Sequence, residues 1–303
     1  MTGDASTSQG RPQSPVLMHW LAATRPATLP AAVAPVLVGA AAAADERFRL
    51  LVFLATIAAA LLLQIGTNLA NDLFDFERGA DTSERLGPTR VTQAGLIAPE
   101  HVRTGTILVF AAAVAIGVYL LYIGGWPILA VGVLAILAGV AYTGGPWPFG
   151  YHGLGDIVVF VFFGLVAVAG TYYLQTGAVD SIAAVAAVPV GMTATAILVV
   201  NNLRDIETDQ RAGKRTLAVL LGARATRAQY ALLTLGAYAT VPFLLLTGAN
   251  AWVLLSWLSL PLALLLNRSV LQGESGRALN PILQRTGQLH FAFGALLALG
   301  LLL

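Results

Sequence analysis

The chain has 303 residues, 57% of them hydrophobic and only 11% charged, with a mean hydropathy of +0.77, whereas a soluble domain carries about 25% charge. This is the composition of a polytopic membrane protein. The absence of cysteine excludes a disulfide framework, an iron–sulfur cluster and a Cys-ligated zinc site, and a net charge of +2 is too small to point to nucleic acid.

Residues 1–18 open with "MTGDASTSQGRPQSPV", a polar stretch with no basic segment leading into an apolar one, and are predicted to be a disordered tail rather than a signal peptide. Residues 19–303 are predicted to form one transmembrane domain. A span needs about 20 mostly apolar residues, and that rule marks nine: about 28–44, 50–70, 104–123, 126–143, 156–174, 182–200, 229–247, 250–266 and 288–303. The expected fold is therefore an all-α, multi-pass helix bundle in the cell membrane. Lys and Arg gather on the cytoplasmic side of membrane proteins. With a cytoplasmic N-terminus, fifteen of the seventeen basic residues fall inside, and only Arg47 and Arg49 fall outside. The loops assigned to the outside are short and nearly uncharged, whereas two inner loops, about 71–103 and 201–228, are long and dense in charge. The chemistry is expected on the cytoplasmic face.

Those two loops carry matched patterns. "TNLANDLFDFERGADTSERLGPTR" (Thr67–Arg90) and "NNLRDIETDQRAGKRT" (Asn201–Thr216) each put Asn–Asp or Asn–Asn at the end of an apolar span, then carboxylates, then a glycine and basic residues. An even number of crossings separates Asp72 from Asp205, so both clusters reach the same side. At about 100° per residue, Asn68, Asp72 and Asp75 fall within about 60° of one another, and Asn201, Asp205 and Asp209 within about 80°. Two stripes of carboxylate so close to a low-dielectric medium repel unless positive charge lies between them. Oxygen-only ligands suit Mg²⁺, which takes one or two carboxylates and completes its shell with water and phosphate oxygens. Acidic motifs flanked by Arg and Lys thus read as a Mg²⁺-diphosphate site.

Bland readings stand beside this one. Charge at a helix end is commonly a solvated loop, the reading given to Glu77, Glu84, Glu100, Glu207 and Glu274, and to Asp45 and Asp180 on the opposite side. The four histidines are scattered and fit no metal spacing. A secondary transporter also keeps Asp and Asn near helix breaks, but near the membrane midplane rather than at span ends.

"NDLFD" (Asn71–Asp75) and "DIETD" (Asp205–Asp209) resemble the two Asp-rich motifs of the UbiA superfamily of intramembrane prenyltransferases. "RPATLPAAVAPVLVG" (Arg25–Gly39), "NLANDLFDFERGAD…RLGPTR", "AYTGGPWPFGYHGLGD" (Ala141–Asp156) and "NNLRDIETDQRAGKRTLAVLLG" (Asn201–Gly222) are similar to the branch acting on 1,4-dihydroxy-2-naphthoate in menaquinone synthesis. The resemblance runs from Arg25 to the C-terminus. It implies nine helices and Mg²⁺-dependent transfer of a polyprenyl group from a polyprenyl diphosphate to the naphthoate ring, with loss of the ring carboxylate, giving demethylmenaquinone. Other aromatic acceptors occur in the superfamily. Mg²⁺ would be held by Asn71, Asp72, Asp75, Asp205 and Asp209, with Asn68, Asp81, Asn201 and Asn202 as further ligands. The superfamily's third aspartate falls on Gly79, and Asp81 is the nearest substitute. Diphosphate contacts fall to Arg85, Arg90, Arg204, Arg211 and Lys214. Arg25 is assigned to an acceptor carboxylate or to phosphate, Tyr142 and Tyr151 to the acceptor ring or the cation, and "FVFFG" (Phe160–Gly164) with Tyr172 and Tyr173 to the tail channel.

Overall fold

A computed structural model describes residues 16–80 and 85–303. The described residues contain helices and turns and no strand. In chain order the helices are α1 (Val16–Thr24), α2 (Pro30–Ala42), α3 (Leu50–Glu77), α4 (Pro99–Gly124), α5 (Trp126–Ala141), α6 (Gly155–Thr176), α7 (Ser181–Arg211), α8 (Leu217–Thr247), α9 (Ala251–Leu271) and α10 (Leu279–Leu302). Helix α1 begins at Val16, inside the stretch assigned to the tail.

Each of the nine expected spans falls on one of α2–α10. Six of these helices are long and apolar enough to cross a membrane, or seven if α1 and α2, bent by 51° at their junction, count as one broken span. Helix α5 has only 16 residues, and the first half of α10 carries Gln284, Arg285, Thr286, Gln288 and His290, which dilute its apolar run.

Local signals set the boundaries. Proline occupies the first turn of α2, α4 and α5, where its missing N–H costs nothing. Asp180, Thr216 and Asn250 cap α7, α8 and α9 with side-chain oxygens that accept backbone N–H bonds. Gly177, in the left-handed region at φ +92°, ends α6.

Helix α7 is the spine, packed against α2, α6, α8 and α10. Helix α6 passes through a π turn at Phe160–Val166, where it meets α7 with Gly164 against Gly191: a Cβ at Gly164 would lie 2.6 Å from the Gly191 Cα. Helices α3, α4 and α5 pack on one another as a second group. Between the groups runs a cavity of about 1190 Å³. A cluster of Val52, Leu120, Ile128 and Leu174 packs α3, α4, α5 and α6 together at the end of the bundle remote from the Asp-rich motifs.

Candidate active site

The C-terminal ends of α3 and α7 bring the two Asp-rich motifs to one end of the cavity. Asn68, Asn71 and Asp75 line it from α3, and Asn201, Asn202, Arg204, Asp205 and Asp209 from α7. Arg25, Arg85, Arg90, Tyr142, Tyr151 and Lys214 complete the polar wall. The described wall holds five cationic side chains against three carboxylates, so it presents a net positive face to a ligand.

Asp75 is the hub. Its Oδ2 accepts from Arg90 Nη2 at 3.0 Å, and its Oδ1 accepts from Tyr151 Oη at 2.5 Å and from Lys214 Nζ at 3.1 Å. Three loops remote in sequence thus converge on one buried carboxylate. Lys214 Nζ also lies 4.5 Å over the Tyr151 ring, and the Arg215 N–H donates to the Tyr151 carbonyl at 2.9 Å, which fixes the α7–α8 loop on the α5–α6 loop. Thr143 reinforces the junction by donating to Asn71 Oδ1 at 2.9 Å.

Asp205 is held differently. Arg204 grips it through Nε at 2.8 Å and Nη2 at 2.5 Å, and also donates to Asn201 at 2.9 Å and to Asn280 Oδ1 at 3.0 Å. Asn280 in turn donates to the Leu86 carbonyl at 2.9 Å, and Gly87 lies against the guanidinium. The loop that carries Arg85 and Arg90 is therefore fastened to both motifs.

Two predicted residues lie elsewhere. Asp72 is not on the cavity wall: its two oxygens accept the backbone N–H groups of Val91 at 3.2 Å and Thr92 at 3.3 Å. The helix explains this, because Asn68, Asn71 and Asp75 share an arc of about 60° with Asp72 beside it. Arg211 is exposed and donates to the Glu207 carbonyl at 3.3 Å. Asp81, with Glu84, lies outside the described residues.

Of the aromatic residues, Phe162 and Phe163 line the cavity, while Tyr172 is buried against Glu46 and Tyr173 donates to the Gly124 carbonyl.

The donor set of Asp75, Asp205, Asp209, Asn71 and Asn201 is all oxygen, divided between two helices. Among the described residues no three His, Cys, Asp or Glu side chains form a group that could hold a metal by themselves. The oxygen-only donor set is what suits Mg²⁺, which needs few protein carboxylates when a phosphate supplies the rest of its shell.

Residues 32–285 match the UbiA prenyltransferase family. The chain belongs to that family. Among its relatives, the 1,4-dihydroxy-2-naphthoate octaprenyltransferase of Haemophilus influenzae is 39% identical over 95% of this chain and 96% of its own length. The enzyme of the same name from Mycobacterium tuberculosis is 42% identical over 89% of this chain and 91% of its own. Solved UbiA structures share the fold. A homologue from Aeropyrum pernix superposes with a TM-score of 0.68 at 16% identity over 93% of this chain and 98% of that one. One from Archaeoglobus fulgidus, solved with DMAPP and Mg²⁺, superposes with a TM-score of 0.61 at 15% identity over 94% and 99%.

Sequence reasoning passed over two polar residues of the cavity wall and one behind it. Asn280 carried no local signal. Gln64 sits four residues before Asn68, the helical spacing that could have exposed it. Asp156 closes a quoted motif and, behind Tyr142, accepts from Gln229 at 2.6 Å.

Proposed function

We propose that this UbiA-family chain transfers a polyprenyl group from its diphosphate to 1,4-dihydroxy-2-naphthoate, in the cell membrane, with nine spans, a cytoplasmic N-terminus and the polar site facing the cytoplasm. The observation that carries the reading is a positively charged, carboxylate-bearing cage at the end of a long apolar cavity. Val118 and Leu129 line that cavity and are also exposed on the lipid-facing surface, so a polyprenyl tail can enter from the side while its diphosphate rests in the cage.

Arg85, Arg90, Arg204 and Lys214 would bind the diphosphate. Asn71, Asp75, Asp205 and Asp209 would hold Mg²⁺, with Asn201 and Asn202 beside them and Asn68 a turn deeper; when bound, the ion supplies positive charge to the departing diphosphate. Asp72 anchors the loop that presents Arg90. Breaking the allylic C–O bond sends its electron pair to the diphosphate, where Lys214 and the arginines stabilise the growing charge in a water-poor site. The electron-rich ring forms the new C–C bond, and its carboxylate leaves as CO₂, returning an electron pair to the ring. The product is the quinol of demethylmenaquinone. No protein nucleophile takes part.

The test is mass spectrometry after membranes holding the protein meet dihydroxynaphthoate, a polyprenyl diphosphate and Mg²⁺. A decarboxylated prenyl naphthoquinol that EDTA abolishes and added Mg²⁺ restores is the expected result. A different prenylated aromatic product, or turnover indifferent to EDTA, refutes the acceptor or the metal respectively.

A further inference from the structure

Arg78 ends α3 as its C-cap, exposed and off the cavity wall. It lies three residues past Asp75 and seven past Asn71, and at about 100° per residue the three share an arc of about 60°. The stripe that bears the cage thus runs on to a guanidinium outside it. The partners of that guanidinium are backbone groups. Nε donates to the Thr143 carbonyl at 3.0 Å and Nη2 to the Gly145 carbonyl, in the turn that follows α5. Carbonyls just past a helix end have lost their helical donors, and the fixed fork of an arginine serves two of them at once.

The same loop returns to α3 at two further points. The Thr143 hydroxyl donates to Asn71 Oδ1 at 2.9 Å, and Tyr151 Oη donates to Asp75 Oδ1 at 2.5 Å. Gly144 lets the turn come this close, since a Cβ there would lie 2.7 Å from the Phe74 ring. The Arg78 guanidinium carbon also stands 6.0 Å from the centre of the Tyr151 ring, the outer limit of a cation–π contact. Asn71, Asp75 and Arg78 therefore clasp the α5–α6 loop along about 10 Å of α3. Asn71, Asp75 and Tyr151 line the cavity, so their contacts change when a ligand enters. The two bonds of Arg78 lie outside the cavity and persist.

We infer that Arg78 is a positioning residue for prenyl transfer, holding the α5–α6 loop on α3 while Asn71, Asp75 and Tyr151 engage the bound ligands. The inference rests on the prenyltransferase reading of the site. The role calls for the fork rather than the charge. A lysine ammonium is a point donor without that fixed geometry, and the field of an exposed charge is screened by salt. The Arg215 N–H on the Tyr151 carbonyl at 2.9 Å ties the loop to the α7–α8 loop instead, so removing Arg78 loosens it from α3 without detaching it altogether. The residues assigned to the diphosphate keep their own partners, which places the effect on turnover rather than on substrate affinity.

The test uses the full chain in nanodiscs, with hydrogen exchange over residues 143–151 measured without substrate and steady-state prenyl transfer measured separately. Arg78→Lys and Arg78→Ala should each speed exchange in that segment by about tenfold, the worth of a lost charge-assisted hydrogen bond. Both should lower kcat by about tenfold or more and leave the KM for polyprenyl diphosphate within about threefold. Because the side chain is open to solvent, ethylguanidinium should restore exchange protection and kcat to Arg78→Ala, and ethylammonium should restore neither. Should Arg78→Ala fail to fold, Arg78→Gln takes its place in the exchange and kinetic arms. Wild-type exchange and kcat in Arg78→Lys would reduce the role to charge and overturn the inference. So would faster exchange with kcat unchanged, or a raised KM with kcat unchanged. A loop that loosens as expected in the variants, while even the wild type forms no prenylated naphthoate, would defeat the proposed function and leave the clasp standing.

Discussion

Asp72 and Asp75 sit three residues apart in one motif, yet the structure gives them different work, and the difference is measurable. Asp75 is buried on the cavity wall with Arg90, Lys214 and Tyr151 on its oxygens. Asp75→Asn removes the charge shared by buried Arg90 and half-buried Lys214, and breaking such a buried pair costs about 3–5 kcal/mol. It also removes a proposed metal ligand. Asp72 holds two backbone N–H groups instead. Asp72→Asn keeps one acceptor oxygen and sets an NH₂ group against the other N–H, at a cost of about 1–3 kcal/mol in loop anchoring. The assay is prenyl transfer in membranes, titrated separately with Mg²⁺ and with polyprenyl diphosphate. Asp75→Asn should lower kcat by about a hundredfold or more and raise half-saturating Mg²⁺ by at least about tenfold. Asp72→Asn should raise the KM for polyprenyl diphosphate several-fold, through misplaced Arg90, with half-saturating Mg²⁺ within about twofold of the wild type. Equal shifts of the Mg²⁺ requirement in the two variants would refute the division of labour.

Gly87 has ordinary backbone angles, but an added Cβ would lie 2.8 Å from Arg204 Nη2. Four hydrogen bonds hold that guanidinium, so Gly87→Ala should raise the KM for polyprenyl diphosphate by about tenfold, and an unchanged KM would show that the loop yields freely. At the contact between α6 and α7, Gly164→Leu drives a side chain into the Gly191 backbone. Overpacking costs about 1–3 kcal/mol or more, and the melting temperature of the purified protein should fall, with a preserved melting temperature counting against so close a crossing.

The sequence made the site legible wherever chemistry coincided with helical period. The two motifs repeat at the ends of apolar runs, and a count of crossings brings them together; Asp75 bonded to Lys214, 139 residues away, is that count realised in space. Composition and hydropathy likewise exposed an all-helical membrane chain. What the sequence hid is set by tertiary geometry. Asp72 and Asp75 have the same chemistry in the same motif, and only the course of the loop after α3, which lays the Val91 and Thr92 N–H groups against α3, makes one an anchor and the other a hub. Asn280 owes its place to the approach of α10 to the Leu86 carbonyl, a contact across 194 residues that no local pattern encodes. Gln64 lies between these cases. A single amide in an apolar span reads as tolerated polarity, and its meaning appears once Asn68, Asn71 and Asp75 are placed on the same arc. A polar residue in helical register with a charged motif should then be read as a deeper part of the same site, because the cavity that holds the ligand follows the helix face.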